Sequence, residues 1–163
     1  MTDTSQYSAE QRLAELGITL PRPAAPLANY VPFTISGNLL IISGQLPLGA
    51  DGKLDPGHAG KLGAEVSDES GQAAARLCAI NIIAQARAAV ADLGRINRCL
   101  RLGGFVNVTP DFAPIPAIIN GASDLMVAVF GDKGKHARAA VGVANLPMNA
   151  AVEVDAMFEI APG

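Results

Sequence analysis

Tryptophan is missing from this chain of 163 residues, and Tyr and Phe together bring the aromatic share to only 4%. Proteins that bind nucleic acid draw on a basic field and on aromatic rings that stack with bases. Here 12 basic residues stand against 15 acidic ones, a net charge of −3, so no nucleic-acid partner is expected. Cysteine and histidine are as scarce, with two of each. Cys78 and Cys99 form no C-x-x-C pair, and His58 is far in sequence from His136, so the three or four converging ligands of a metal site cannot be assembled. Both thiols read as core residues. The opening stretch MTDTSQYSAEQRLAELG lacks the basic start and apolar run of a signal peptide, and no apolar run approaches the ~18–20 residues that span a bilayer. The expectation is a cytoplasmic protein with no membrane partner. GDKGKH lacks the residue order of a phosphate loop, and neither G-x-S-x-G nor G-x-G-x-x-G occurs.

What the chain has is apolar bulk in small pieces. Half the residues are hydrophobic, 17% are charged, and 17 are Gly, which suits one core of close-packed backbone rather than a disordered chain. Small side chains bury little area each, so a lone subunit has a modest core and self-association would bury more.

Local patterns predict the elements. A short amphipathic helix spans Ser8 to Leu16, with Gly17 as its stop. LPRPAAP then forms an extended connector, so residues 1–23 read as helix plus connector and 24–163 as the domain. YVPFTISG and NLLIISG flank Gly37-Asn38, a hairpin signal. From Gln45 to Val66 the chain is Gly/Pro-rich loop of about 20 residues, a length that marks functional or mobile loops. Ser67 caps a long helix to about Leu93, with Leu77, Ile80, Ala84, Ala88 and Ala91 as its apolar stripe. RCLRLGGFVNV is a strand whose Gly-Gly marks a bulge or a close backbone approach. After a loop from Thr109 to Pro116 comes a second helix, Ile118 to Phe130. Two strands, RAAVGVANLP and MNAAVEVDAMFEI, close the chain, the latter with Val152, Val154, Ala156, Phe158 and Ile160 on its apolar face. The order β-β-α-β-α-β-β predicts an α+β layer, two helices packed on one face of a mixed sheet.

Several residues on this frame could carry chemistry. Arg138 opens a strand whose same-face neighbours, Ala140, Gly142 and Ala144, are small; a guanidinium above them has room to grip a carboxylate, or else forms a surface ion pair. Glu153 leads the polar face of the last strand and could orient or deprotonate a water, or simply be solvated. A hairpin turning at LPMN would leave the two roughly 13 Å out of register, a gap that long side chains or a neighbouring subunit could close. Tyr30 is a hydrogen-bonding site wall or a core edge. Ser43-Gly44-Gln45 ends a strand where backbone groups can face a ligand. Asn120 either caps the second helix or faces a pocket.

At this point SGQLP (Ser43 to Pro47), HARAAVGVANLP (His136 to Pro147) and VEVDA (Val152 to Ala156) resemble the RidA/YjgF family, reactive-intermediate deaminases also labelled endoribonuclease L-PSP, and they do so in the family's order from about Ala24 to Ile160. The resemblance implies a chorismate-mutase-like α+β fold and a homotrimer with its sites in clefts between subunits. It also implies cofactor-free hydrolysis of 2-enamino and 2-imino acids to 2-oxo acids and ammonium. By the same resemblance Arg138 would hold the substrate carboxylate and Glu153 would position the attacking water. Gly44, with Ser43 beside it, would supply backbone contacts, Tyr30 would wall the pocket, and Asn120 would match the Asn near the second helix. A Cys that many members carry two positions after the Arg is Ala140 here, and a Glu two further on is Gly142; the N-terminal helix and the stretches 53–66 and 113–119 are extra. The partner molecule implied is a small carboxylate-bearing imine or 2-oxo acid. A non-catalytic module binding such a carboxylate is the alternative, and the acidic, aromatic-poor composition argues against a ribonuclease.

Overall fold

The computed structural model of the chain describes residues 7–23, 25 and 29–162. Helix α1 (Ala9–Glu15) starts at a capping box: the Ser8 hydroxyl accepts from the Gln11 N–H, and the Gln11 side chain accepts from the Ser8 N–H. Its Leu13 is buried in the same apolar cluster as the sheet residues. Of the connector, residues 24 and 26 lie outside the described residues. Strands β1 (Phe33–Ser36) and β2 (Leu39–Gln45) pair antiparallel across Gly37-Asn38, with Gly37 at φ +60°, the left-handed backbone that glycine adopts without strain. Ser67 caps helix α2 (Asp68–Val90) by accepting from the Ser70 N–H. Strand β3 (Ile96–Asn107), helix α3 (Ile115–Phe130), strand β4 (Ala137–Val143) and strand β5 (Val152–Ile160) follow.

The expected order of elements holds, and the sheet is mixed. Its strand order is β1-β2-β5-β3-β4, which corrects the expected hairpin between the last two strands. β4 runs parallel to β3 at the sheet edge, joined to it by α3, while β5 inserts between β2 and β3, antiparallel to both. A parallel pair needs a crossover, and α3 is one. β5 has the cleanest alternation of apolar residues and takes a central place, every second residue from Val152 to Ile160 being buried. β4, built of Ala, Gly and Val around one Arg, is left exposed at the edge.

Both long helices cover one face. Gly104 lies so close to α3 that a Cβ there would meet three atoms of Ile119 at 2.6–2.8 Å, so the Gly-Gly of β3 is a close approach; the register shifts of β3 fall earlier, before Arg101. Two local readings change. The buried side of α2 is Ala74, Ala75, Cys78, Ala79, Ile82, Ile83, Ala84, Ala86 and Val90; of the expected stripe Ala84 is buried, Leu77 and Ile80 are partly buried, and Ala88 and Ala91 are exposed. In a helix this rich in Ala the two sides differ little in apolarity, so the pattern alone cannot fix the rotation. α3 begins a turn earlier than expected because Pro116 sits in its first turn, where no N–H is needed.

By length and composition α2 and the stretch 115–134 are apolar enough to cross a bilayer. Their apolar residues, Ile82, Ile83, Ile118, Ile119 and Met126 among them, are instead part of the core. The 46–66 segment is tied down: Ala59 bridges Ala150, Leu62 bridges Val108, and the Lys61 ammonium donates to Asn107 Oδ1 at 2.6 Å and to the Ala144 carbonyl.

Candidate active site

The bare face of the sheet carries one group of the expected residues. Arg101, Gly103 and Phe105 of β3 stand opposite Met157, Asp155 and Glu153 of β5, and alternation puts all six on the side away from the helices. Beside them β2 breaks register between Ile42 and Gln45, which brings Gly44 against Glu153: a Cβ on Gly44 would fall on the Glu153 carboxylate. Ser43, next in the chain, donates its hydroxyl to the Val31 carbonyl at 2.7 Å, and its N–H bonds to the Pro32 carbonyl. These bonds hold the segment after Tyr30, whose side chain is 53% exposed. Tyr30 is thus not a core edge. Burial raises the Glu153 carboxyl above its ordinary value, and the charge of Asp155 adds to the rise. Asp155 itself pairs with Arg101 at 3.1 Å, and among the described residues no cation pairs with Glu153.

The second group lies on the other face. Arg138 aligns with Leu102, a buried residue of β3. Its Nη1 donates to Asn120 Oδ1 at 2.8 Å and to Ser123 Oγ at 3.2 Å, both on α3. Asn120 therefore sits inside the helix as a partner of Arg138 and is not a cap. Ala140 follows on the same side of β4, packed against the core, and a Cβ on Gly142 would meet Val108 and Ile115. Arg138 has no carboxylate partner among the described residues, so the surface ion pair is not formed. Beyond Ser123, His136 Nε2 lies 2.9 Å from the Ser123 hydroxyl, and His136 Nδ1 lies 2.6 Å from the Gly134 carbonyl.

The sequence singles out neither Ser123 nor His136 as a site residue, although two spacings point to them. Ser123 is three residues after Asn120 on a helix, hence on its face, and His136 is two before Arg138 along an extended segment. Cys78 and Cys99 are buried, as expected of core thiols; burial raises both, Cys99 to about 12. No cluster of three metal-ligating side chains occurs among the described residues.

The two groups do not meet within one chain. On β3, Arg138 is level with Leu102 and Glu153 with Phe105, three residues apart and with β3 between them. At about 3.3 Å per residue and 4.8 Å per strand, their Cα atoms are separated by roughly 14 Å. The side chains then leave opposite faces of the sheet. Each chain carries an acid-bearing half, with Glu153 half-buried, and a guanidinium-bearing half, with Arg138 exposed.

The comparisons fit this architecture. A family model described as "YjgF/chorismate mutase-like, putative endoribonuclease" matches residues 10–160. Protein TCP17 of Trypanosoma cruzi is 50% identical over 151 residues, 91% of each chain. The solved structure of the protein Atu1372 from Agrobacterium tumefaciens is 53% identical with a TM-score of 0.87, covering 94% of this chain and 92% of that one. A structure from Shewanella oneidensis MR-1, named a putative endoribonuclease, is 38% identical with a TM-score of 0.90, covering 94% and 100%. The chain belongs to the YjgF/RidA, chorismate mutase-like family.

Proposed function

We propose that the protein hydrolyses reactive 2-imino and 2-enamino acids to 2-oxo acids and ammonium, as a homotrimer whose sites join the guanidinium-bearing half of one copy to the acid-bearing half of the next. The observation that carries this reading is the pair of charges unmatched among the described residues: Arg138 without a carboxylate, Glu153 without a cation, on opposite faces of one sheet. Head-to-tail contacts that close into a ring bring two different surfaces of a chain together, which such a divided site requires.

In the assembled cleft the substrate carboxylate lies on Arg138, held by paired N–H bonds. That fixes C2, the electrophilic carbon of the protonated imine, against a water on Glu153. The water oxygen adds to C2 while Glu153 takes the water proton, giving a neutral carbinolamine. Glu153 then returns the proton to the amino nitrogen. The C–N bond breaks, the hydroxyl oxygen forms the ketone, and its proton leaves with ammonia as ammonium. A carboxyl raised by burial suits a group that must both take and give a proton near neutral pH. Gly44 leaves the Glu153 carboxylate room to point at the water. Ser43, Tyr30 and Ala140 line the cleft, and Asn120 steadies Arg138. Most of the gain is proximity, since imines also hydrolyse unaided.

The test follows imine loss directly. An amino-acid oxidase generates imino acids in place, and semicarbazide traps what persists. The wild type accelerates imine loss, and Arg138→Ala abolishes the acceleration. A folded wild type that matches buffer across several parent amino acids refutes the deaminase, and favours a cleft that only binds carboxylates.

A further inference from the structure

We infer that Ser123 and His136 are positioning residues that lock the Arg138 guanidinium so that its side-on edge, Nε and Nη2, is reserved for a carboxylate. The inference deepens the deaminase reading, on which it rests for the identity of the substrate. It starts from the direction of each hydrogen bond.

The Gly134 carbonyl can only accept, so at 2.6 Å His136 Nδ1 carries the hydrogen. In the neutral ring Nε2 is then the acceptor and takes the hydroxyl hydrogen of Ser123 at 2.9 Å. With its hydrogen committed, Ser123 Oγ presents a lone pair to Arg138, and Nη1 fills it at 3.2 Å. The other Nη1 hydrogen goes to Asn120 Oδ1 at 2.8 Å. Both Nη1 hydrogens are thereby used. Among the described residues no acceptor takes Nε or Nη2, and those two donors are parallel and spaced for the two oxygens of a carboxylate.

The far end of the chain of bonds is rigid. Gly134 is buried, and a Cβ on it would run into the backbone of Met126 and Val127 in α3. Its carbonyl is therefore held by the same helix that supplies Ser123 and Asn120. Backbone, imidazole, hydroxyl and guanidinium form one series in which each group leaves the next a single role. Without the Ser123 hydroxyl, Nη1 keeps only Asn120, and the guanidinium can rotate about that one bond.

The pair predicts a selective loss. Pyruvate and its neutral amide, pyruvamide, differ at the group Arg138 grips. Ligand-observed NMR on the intact oligomer gives both affinities for wild type, Ser123→Ala, Ser123→Thr and His136→Asn, each checked for unchanged assembly. Ser123→Ala weakens pyruvate binding about 10-fold, the scale of one hydrogen bond to a charged group, and leaves pyruvamide unchanged. Ser123→Thr, which keeps the hydroxyl, restores pyruvate. His136→Asn keeps a donor for the Gly134 carbonyl but loses the acceptor for Ser123, and reproduces the Ser123→Ala loss. In imine hydrolysis the Ser123→Ala loss falls on KM more than on kcat.

Equal weakening of pyruvate and pyruvamide, an unchanged pyruvate affinity in Ser123→Ala, or no rescue by Thr overturns the inference. A wild type that prefers pyruvate but hydrolyses no imine discards the deaminase and keeps the positioning pair. A wild type without that preference overturns the pair.

Discussion

Gly44 faces the one carboxylate to which we assign the chemistry, and Gly44→Ala separates positioning from folding. The added Cβ would fall on the Glu153 carboxylate, with Cδ at 3.0 Å and Cγ at 3.2 Å. The obstructed atoms are the far end of a flexible side chain, so the strand can stay in place while the carboxylate swings away. An off-rotamer side chain costs about 0.5–1.5 kcal/mol. Replacing Gly by Ala at an ordinary backbone angle returns about 0.4–1 kcal/mol by restricting the unfolded chain. The net change in stability is then within about 1 kcal/mol, and the Tm moves by no more than about 4 °C in a chain of this size. A carboxylate displaced by about 1 Å or more from its water loses on the order of 100-fold in rate. Thermal unfolding and imine hydrolysis measured on the same preparation read both quantities. Wild-type turnover in Gly44→Ala refutes the placement of the water on Glu153.

Other outcomes follow from the same contacts. Gly104→Ala drives a methyl into Ile119 under α3; overpacking of this kind costs about 1–3 kcal/mol, and a Tm equal to wild type contradicts the close approach. Glu153→Gln tests the raised carboxyl. Because its folded value lies above its unfolded one, the folded state binds the proton more tightly, and the ionised form detracts from stability once pH exceeds the folded value. The variant is therefore at least as stable as wild type at pH 8, and the difference shrinks as pH falls through the carboxylate range. A variant less stable at pH 8 reverses the sign and removes the burial argument.

Much of this molecule is legible in its sequence because its local signals agree with its fold. Ser8 and Ser67 cap the helices they precede, Gly37-Asn38 turns the hairpin, and alternation from Val152 to Ile160 marks a strand. Strand order is not local. Nothing in LPMN distinguishes a hairpin from a connection that carries β5 across to the far side of β3, and the choice is made by which strand best fills the centre. That one difference decides the site, because it puts Arg138 and Glu153 on opposite faces with β3 between them rather than on adjacent strands. Residue types pointed to both, and family motifs supplied their roles; periodicity supplied neither. Of the two roles open to Asn120, the interior one holds, because Pro116 sits in the first turn and the helix begins at Ile115. Ser123 lies in no motif and His136 opens HARAAVGVANLP without an assigned role, so only spacing ties them to Arg138.

The most direct test of the divided site mixes two inactive proteins. Arg138→Ala lacks the guanidinium half and Glu153→Gln lacks the acid half, and each alone is inactive. If subunits are exchanged at equal amounts and each site takes one half from each of two neighbouring copies, half the sites have an intact guanidinium and half of those an intact acid. The mixture regains about one quarter of wild-type activity. A mixture as dead as its components, with exchange verified by native mass spectrometry, places both residues' work within one chain and contradicts the account.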